Sequence, residues 1–231
     1  IFNNGFANAK ESVQGIPAIL ASIPSLMDEP YIFSRYSVNK INSMASLLKD
    51  EGYTSAFFHG AATGTMGFHS FCKSAGFDRY YGKEDYPNIQ DDFDGSWGIW
   101  DHKYLPYMAS ELSSFSAPFF ASVLTLNSHH PFKLPDHLAK RFTSKGHPII
   151  SSVRYADFAL SQFFEEAKKQ SWYKNTMFVI TADHTGPNTD VLKNILDDYR
   201  IPIIFFRPDH SIRGVSDKIA SQIDILPTVL S

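Results

Sequence analysis

Two rhythms of apolar residues alternate along this chain. In residues 39–51, Ile41, Met44, Leu47 and Leu48 recur at helical spacing and Gly52 stands at the stop position, which predicts a helix. Residues 151–170 predict a longer one, with Val153, Ala156, Leu160, Phe163 and Phe164 facing inward. Residues 12–24 read as a short helix with Ser12 at the N-cap, Ile16, Ile19 and Leu20 on one face and Pro24 closing it. Helical patterns also cover residues 68–76 and 100–115, and a last helix opens at Asp224 with Pro227 tolerated in its first turn. Between these lie continuous apolar runs at residues 54–60, 118–126, 176–182 and 201–206, short enough to be buried strands. Residues 77–99 are rich in Asp and Gly and predict a long surface loop. IFNNGFAN opens the chain as a strand or loop, and ILPTVL closes it as a helix start without a C-terminal cap. Both ends therefore read as cut, and residues 1–231 as a fragment of one catalytic domain.

Buried strands alternating with amphipathic helices imply an α/β fold, with a mostly parallel central sheet and helices on both faces. In such sheets ligands bind beyond the carboxyl ends of the strands, so the polar residues ending each strand are the ones to inspect. The 231 residues are 43% hydrophobic and include 20 Phe, 11 Tyr and 3 Trp, enough for a sizeable core. A net charge of -3 gives no basic footprint for nucleic acid. The single cysteine, Cys72, excludes an intramolecular disulfide and a multi-cysteine zinc site, so any metal must be held by oxygen and imidazole ligands. No stretch approaches the ~20 apolar residues of a membrane helix and no signal segment opens the chain, so what is present is expected to be soluble.

Three places carry candidate chemistry. The strand at residues 176–182 runs straight into Asp183 and His184, a carboxylate beside an imidazole that suits zinc or manganese. The dipeptide alone is equally consistent with Asp183 capping a turn and His184 lying on the surface. The strand at residues 118–126 ends in Asn127, Ser128, His129 and His130, where imidazoles could bind a metal or donate to phosphate oxygens. One of that pair reads as structural. Ser12, at a helix N-terminus, places a hydroxyl near unpaired N–H groups and the positive end of the helix dipole, although its position alone is that of an ordinary cap. His59 reads as a packing histidine, and His69, His102, His137, His147 and His210 as solvated ones.

Taken in order, NAKESVQGIPAILASIPS, LLKDEGYTSAFFHG, KSAGFDRYYG, WGIWD, LTLNSHHPF, SVRYADFALSQFF, TADH, YRIPIIFF and QIDILPTVL resemble the lipoteichoic acid synthase and phosphoglycerol transferase group, the sulfatase-like branch of the alkaline phosphatase superfamily. The resemblance covers essentially the whole chain. It implies an alkaline-phosphatase-like fold, Ser12 as metal-bound nucleophile, Asp183 and His184 as metal ligands, and His129 as a substrate-contacting histidine. Trp97, in the WGxxD segment with Asp101, would border the substrate cleft, or pack under the long loop. It further implies one divalent ion, manganese or zinc ahead of magnesium or calcium, and a phospholipid or glycan phosphate ester as substrate. By resemblance the location is the extracytoplasmic face of the bacterial cell membrane.

The expected activity is a metal-dependent phosphotransferase or phosphodiesterase acting on a cell-envelope lipid or glycan through a phosphoserine. The alternatives are a sulfuric ester hydrolase and an inactive binding domain of the same fold. The chain departs from the family in two ways. The family's first acidic ligand lies upstream of the nucleophile, outside these residues, and the Trp and Arg that grip glycerol phosphate in lipoteichoic acid synthases fall here on Met66 and Phe68. It also lacks the Cys/Ser-x-Pro-x-Arg context of formylglycine sulfatases, since Gln14 and Ile16 occupy the proline and arginine places. If residues 54–58, 118–126 and 176–182 share one parallel sheet, His129, Asp183 and His184 meet at one edge, with His130 turned elsewhere. A shared cation with ~2 Å bonds then puts the Ser12 hydroxyl roughly 3 to 5 Å from Asp183 and His184.

Overall fold

The computed structural model describes residues 1–187 and 194–231. The chain packs as two compact units. The first contains Ile1–Gly52, Met66–Phe77 and Lys174–Ser231, and the second Tyr53–Thr65 and Asp78–Tyr173.

The first unit is built on a four-stranded mixed sheet. Strand β1 (Phe2–Phe6) lies between β6 (Ile203–Phe206), to which it is antiparallel, and β7 (Ser216–Ser221), to which it is parallel. Strand β5 (Phe178–Thr181) completes the sheet, antiparallel to β6 with Val179 opposite Phe205. Helices α1 (Ser12–Ala21), α2 (Met44–Asp50), α3 (Phe68–Ser74) and α8 (Ile225–Leu230) belong to the same unit. Val13, Ile16, Leu20, Phe71, Ile203 and Ile225 are buried here. Helix α2 starts at Met44, later than the apolar spacing predicts, because Ser43 caps it: its hydroxyl accepts from Ser46 N at 3.1 Å while Ser46 Oγ accepts from Ser43 N at 2.8 Å.

In the second unit β2 (Thr54–His59) runs between β3 (Arg79–Tyr81) and β4 (Phe119–Leu124), all parallel. The carboxyl ends of the three strands therefore share one edge. Ala56, Phe57 and Phe58 are wholly buried, with Phe57 stacked on Tyr80 at 5.7 Å and Phe58 on Tyr81 at 4.5 Å. Helices α4 (Ile89–Asp92), α5 (Asp101–Glu111), α6 (Asp136–Phe142) and α7 (Pro148–Ala167) complete the unit, α5 packing along α7.

Several sequence expectations change. Residues 176–182 do not join the parallel ladder of residues 54–58 and 118–126, since both neighbours of β2 are already β3 and β4 and β5 pairs instead with β6. The buried residues of α7 are Ser152 and the i+4 row Ser151, Tyr155, Ala159, Phe163 and Ala167, whereas Val153 is 54% exposed. Residues 77–99 are no plain loop: they hold β3 and α4 and return through bridges from Ala61 to Gly98 and from Phe93 to Ile99. Strand β7 has a polar sequence, SDKIAS, that gives no strand period.

Nor is His102 a solvated histidine. Its Nδ1 is hydrogen-bonded to the Tyr155 hydroxyl at 2.7 Å, its Nε2 is buried without a hydrogen-bond partner, and burial lowers its pKa to about 4. His59, 1% exposed and hydrogen-bonded to Tyr80, is lowered to about 4 by the same cause. A base whose folded pKa lies below its unfolded value near 6.5 stabilises the fold above that value and loses the contribution as pH falls toward 4. Urea denaturation of the wild-type chain should show stability falling between pH 6.5 and 4, and the slope should be shallower in His102→Gln; equal slopes would remove His102 from the account.

Candidate functional site

Ser12 is not the N-cap of α1. Glu11 holds that place, without a side-chain cap bond, and Ser12 is the first helical residue. The distinction matters chemically, because a serine at the cap spends its hydroxyl on the backbone N–H groups of the first turn. Here the Ser12 Oγ instead faces His184 Nε2 at 3.4 Å, and that nitrogen is 3.5 Å from Asp183 Oδ2. The residue is 8% exposed, so the hydroxyl sits at the floor of the site.

His184 presents a defined ring nitrogen. Its Nδ1 lies 2.7 Å from the carbonyl oxygen of Thr185, which can only accept, so the Nδ1 hydrogen is donated there and Nε2 carries the lone pair. Thr185 is itself fixed, its hydroxyl donating to the Asp198 carbonyl at 2.5 Å. Asp183 Oδ1 accepts the His184 N–H at 3.0 Å, leaving Oδ2 toward the imidazole. The three predicted residues thus come together inside the first unit, and the Ser12–His184 separation falls within the reach expected for a shared cation.

The approach of α1 to this strand end depends on Gly15. A Cβ there would stand 2.3 Å from the Asp183 carbonyl oxygen, so any side chain would push the helix and its Ser12 away.

Whether these residues fit a metal can be tested on the separations alone. Tetrahedral zinc with bonds of about 2.0–2.1 Å sets its ligand atoms about 3.4 Å apart. The 3.4 and 3.5 Å separations match that edge, and the Nε2 lone pair points into the cluster. Among the described residues no group of three or more His, Cys, Asp or Glu that could hold a metal is found; the cluster offers one carboxylate, one imidazole and the Ser12 hydroxyl. Carboxylate, imidazole and hydroxyl are donor types that suit a divalent ion.

Trp97 and His129 lie in the second unit, at the carboxyl edge of the parallel sheet. Their rings meet edge to face at 4.4 Å, and Trp97 Nε1 donates to the His130 carbonyl at 2.6 Å. Together with Asp94, Ser96, Asn127 and Lys133 they line a small crevice. The His130 ring turns to Phe132, 5.9 Å away.

Two buried carboxylates hold this edge. Asp94 Oδ1 accepts the N–H groups of Ser96, Trp97 and Gly98 at 2.7, 2.8 and 3.1 Å, and its Oδ2 accepts from Asn127 Nδ2 at 3.0 Å. Asp101 accepts the N–H of Leu126 at 3.0 Å and of Asn127 at 2.8 Å, while Asn127 Oδ1 accepts the Asp101 N–H at 2.7 Å. Complete burial pushes the Asp101 pKa up to about 6, against the pull of those N–H groups. Asp94 escapes the sequence reading although its signal was present: Asp-Gly followed by Ser-Trp-Gly is an Asx-turn composition.

Phe68 begins α3, and Met66 lies in the 3-10 turn Thr65–Gly67 just before it. Phe68 is wholly buried, and Met66 has a left-handed backbone with φ of 54°.

The sequence model of the sulfatase family matches residues 1–231. This chain belongs to the sulfatase family. Lipoteichoic acid synthase 1 of Bacillus subtilis (strain 168) is 29% identical over 211 residues, covering 83% of this chain and 33% of that protein. The chain thus spans about a third of the length of the curated relatives it matches. A solved protein of the alkaline phosphatase superfamily from Vibrio parahaemolyticus superposes with a TM-score of 0.87 at 30% identity, over 99% of this chain and 56% of that one. The lipoteichoic acid synthase LtaP from Listeria monocytogenes superposes with a TM-score of 0.86 at 22% identity, over 99% and 61%. The fold of this family member is therefore of the alkaline phosphatase type.

Gly15→Ala is predicted to lose about 1–3 kcal/mol of stability by overpacking, despite the better helix propensity of alanine. Denaturant titration measures it, and a variant as stable as the wild type would show that α1 can retreat from Asp183 at no cost.

Proposed function

We propose that this sulfatase-family chain carries the catalytic core of a metal-dependent phosphotransferase or phosphodiesterase of the cell envelope. Its substrate would be a phosphate ester of a lipid or glycan, met at the extracytoplasmic face of the membrane. The observation carrying the reading is the convergence of Ser12 Oγ, His184 Nε2 and Asp183 Oδ2 at 3.4 and 3.5 Å.

Ser12 Oγ acts as nucleophile on phosphorus. Its bond to phosphorus forms as the bond to the leaving alcohol breaks; the serine proton goes to solvent and the alcohol leaves protonated. A hydroxyl at the first residue of α1 also lies at the positive end of that helix, which favours the anionic form of the oxygen. A divalent cation held by Ser12, Asp183 and His184, manganese or zinc by the donor set, would lower the hydroxyl pKa and neutralise phosphate charge. By the family resemblance His129 and Trp97 are the substrate-contacting pair; the His129 Nδ1 is held on the His130 carbonyl at 2.8 Å. Water, or a sugar or glycerol hydroxyl, then displaces the serine and restores it.

The buried Phe68 and half-buried Met66 support a headgroup other than the glycerol phosphate gripped by Trp and Arg in the lipoteichoic acid synthases. Phosphorus chemistry is preferred to sulfate ester hydrolysis because Ser12 lacks the proline and arginine that formylglycine formation reads.

In the full-length protein, Ser12→Ala should abolish turnover of bis(p-nitrophenyl) phosphate and remove a serine adduct, one p-nitrophenyl-phosphoryl group in mass, trapped at low pH. Loss amounting to about 3 or more orders of magnitude is expected for a nucleophile. Unchanged turnover would sink the assignment.

A further inference from the structure

Gln222 lies in the 3-10 turn Gln222–Asp224 between β7 and α8 and is fully buried. Its carboxamide is completely used. Nε2 donates to the Ala182 carbonyl at 2.9 Å and to the Asp183 carbonyl at 2.7 Å, and Oε1 accepts the Asn8 N–H at 2.8 Å. Two carbonyls can only accept and one N–H can only donate, so the orientation of the amide is fixed by its partners.

These contacts join two segments with separate tasks. Ala182 and Asp183 follow Thr181, the last ladder residue of β5, so their carbonyls lie beyond the sheet pairing and need another donor when buried. Asn8 belongs to the connection between β1 and α1, just upstream of Ser12. One side chain therefore ties the strand end that carries Asp183 and His184 to the segment that delivers Ser12. The Gly15 contact on the same Asp183 carbonyl brings α1 in from another side.

We infer that Gln222 is a positioning residue that sets the separation of Ser12 Oγ and His184 Nε2. The inference rests on the reading of Ser12, Asp183 and His184 as the reacting site. A purely structural role is distinguished by an internal control. Ser22, at the C-terminal end of α1, donates from its hydroxyl to the Ile223 carbonyl at 2.6 Å, binding the same helix to the same turn without touching residues 182–183.

The test compares Gln222→Met, which keeps length and removes all three hydrogen bonds, with Gln222→Glu, which keeps the acceptor for Asn8 but turns an oxygen toward two carbonyls. Ser22→Ala is the control. Each is made in the full-length protein and assayed with bis(p-nitrophenyl) phosphate and manganese below its melting temperature, per folded molecule. Gln222→Met should lower kcat about 10–100-fold, as loss of a ligand's supporting partner does, with KM near its wild-type value. Gln222→Glu should lose at least as much, and Ser22→Ala should melt earlier yet keep kcat. A crystal structure of Gln222→Met should show Ser12 Oγ and His184 Nε2 farther apart than 3.4 Å. Should that variant not fold, Gln222→Asn, still polar and one methylene shorter, replaces it with the same readouts. An unchanged separation, or an equal fall of kcat in Ser22→Ala, overturns the inference. The separation needs no activity to be read, so failure of the site reading itself shows independently, as full turnover in Ser12→Ala.

Discussion

The carbonyl oxygen of Asp183 lies where only a glycine lets a helix reach it. With a Cβ at Gly15 the two would stand 2.3 Å apart, a distance no side chain tolerates. The first turn of α1 can therefore rest against the end of β5, and Ser12 arrives beside His184 as a consequence of backbone contact. The same carbonyl accepts from Gln222, so it is both the surface that the helix meets and an anchored point. Position of Ser12 is thus a backbone property here, carried by a missing side chain on one partner and a buried amide on the other.

The second unit reaches the same end with buried charge. Asp94 and Asp101 are 3% and 2% exposed, and burying a carboxylate costs several kcal/mol unless its oxygens are satisfied. Both are satisfied chiefly by backbone N–H groups, from residues 96–98 and 126–127. Those are the residues flanking Trp97 and leading to His129, and the reciprocal bonds of Asn127 close the arrangement from the strand side. A carboxylate with fixed N–H partners makes a loop behave as part of a rigid scaffold, which is what the proposed substrate contacts of Trp97 and His129 would require. The raised pKa of Asp101 records what this arrangement costs.

Much of this was legible in the residues. Apolar runs ending in Asp-His and in Asn-Ser-His-His marked two strand ends correctly, because a buried strand must stop where polar groups begin. The helix at residues 12–24 was also visible, yet its cap was misplaced by one residue, since Glu11 and Ser12 both suit a helix start and only tertiary structure reveals that the hydroxyl has another partner. Strand β7 was invisible because its partner is β1 at the far end of the chain, and its sequence carries no alternation to betray that pairing. The inward face of α7 was misread for a related reason. Ser151 and Ser152 are buried by their neighbours, Ser151 Oγ accepting from Ser144 N and Ser152 Oγ donating to the Ile149 carbonyl, so polarity misleads where hydrogen bonds are local.

Ser12 and Gln222 illustrate how little residue type alone says: the family resemblance singles out Ser12, and nothing in the sequence singles out Gln222. A serine at a helix start and a glutamine near a helix end are the commonest of capping and surface residues, and neither type announces chemistry. What distinguishes them is where their polar atoms are spent. Ser12 has a hydroxyl not consumed by its own helix, and Gln222 has an amide consumed entirely by two other segments. The first condition leaves an oxygen free to react, and the second leaves a side chain no freedom at all. A reacting group of the one kind needs a supporting group of the other. Rigid support is what allows a free hydroxyl to stay 3.4 Å from its partner instead of turning back to cap the helix that carries it.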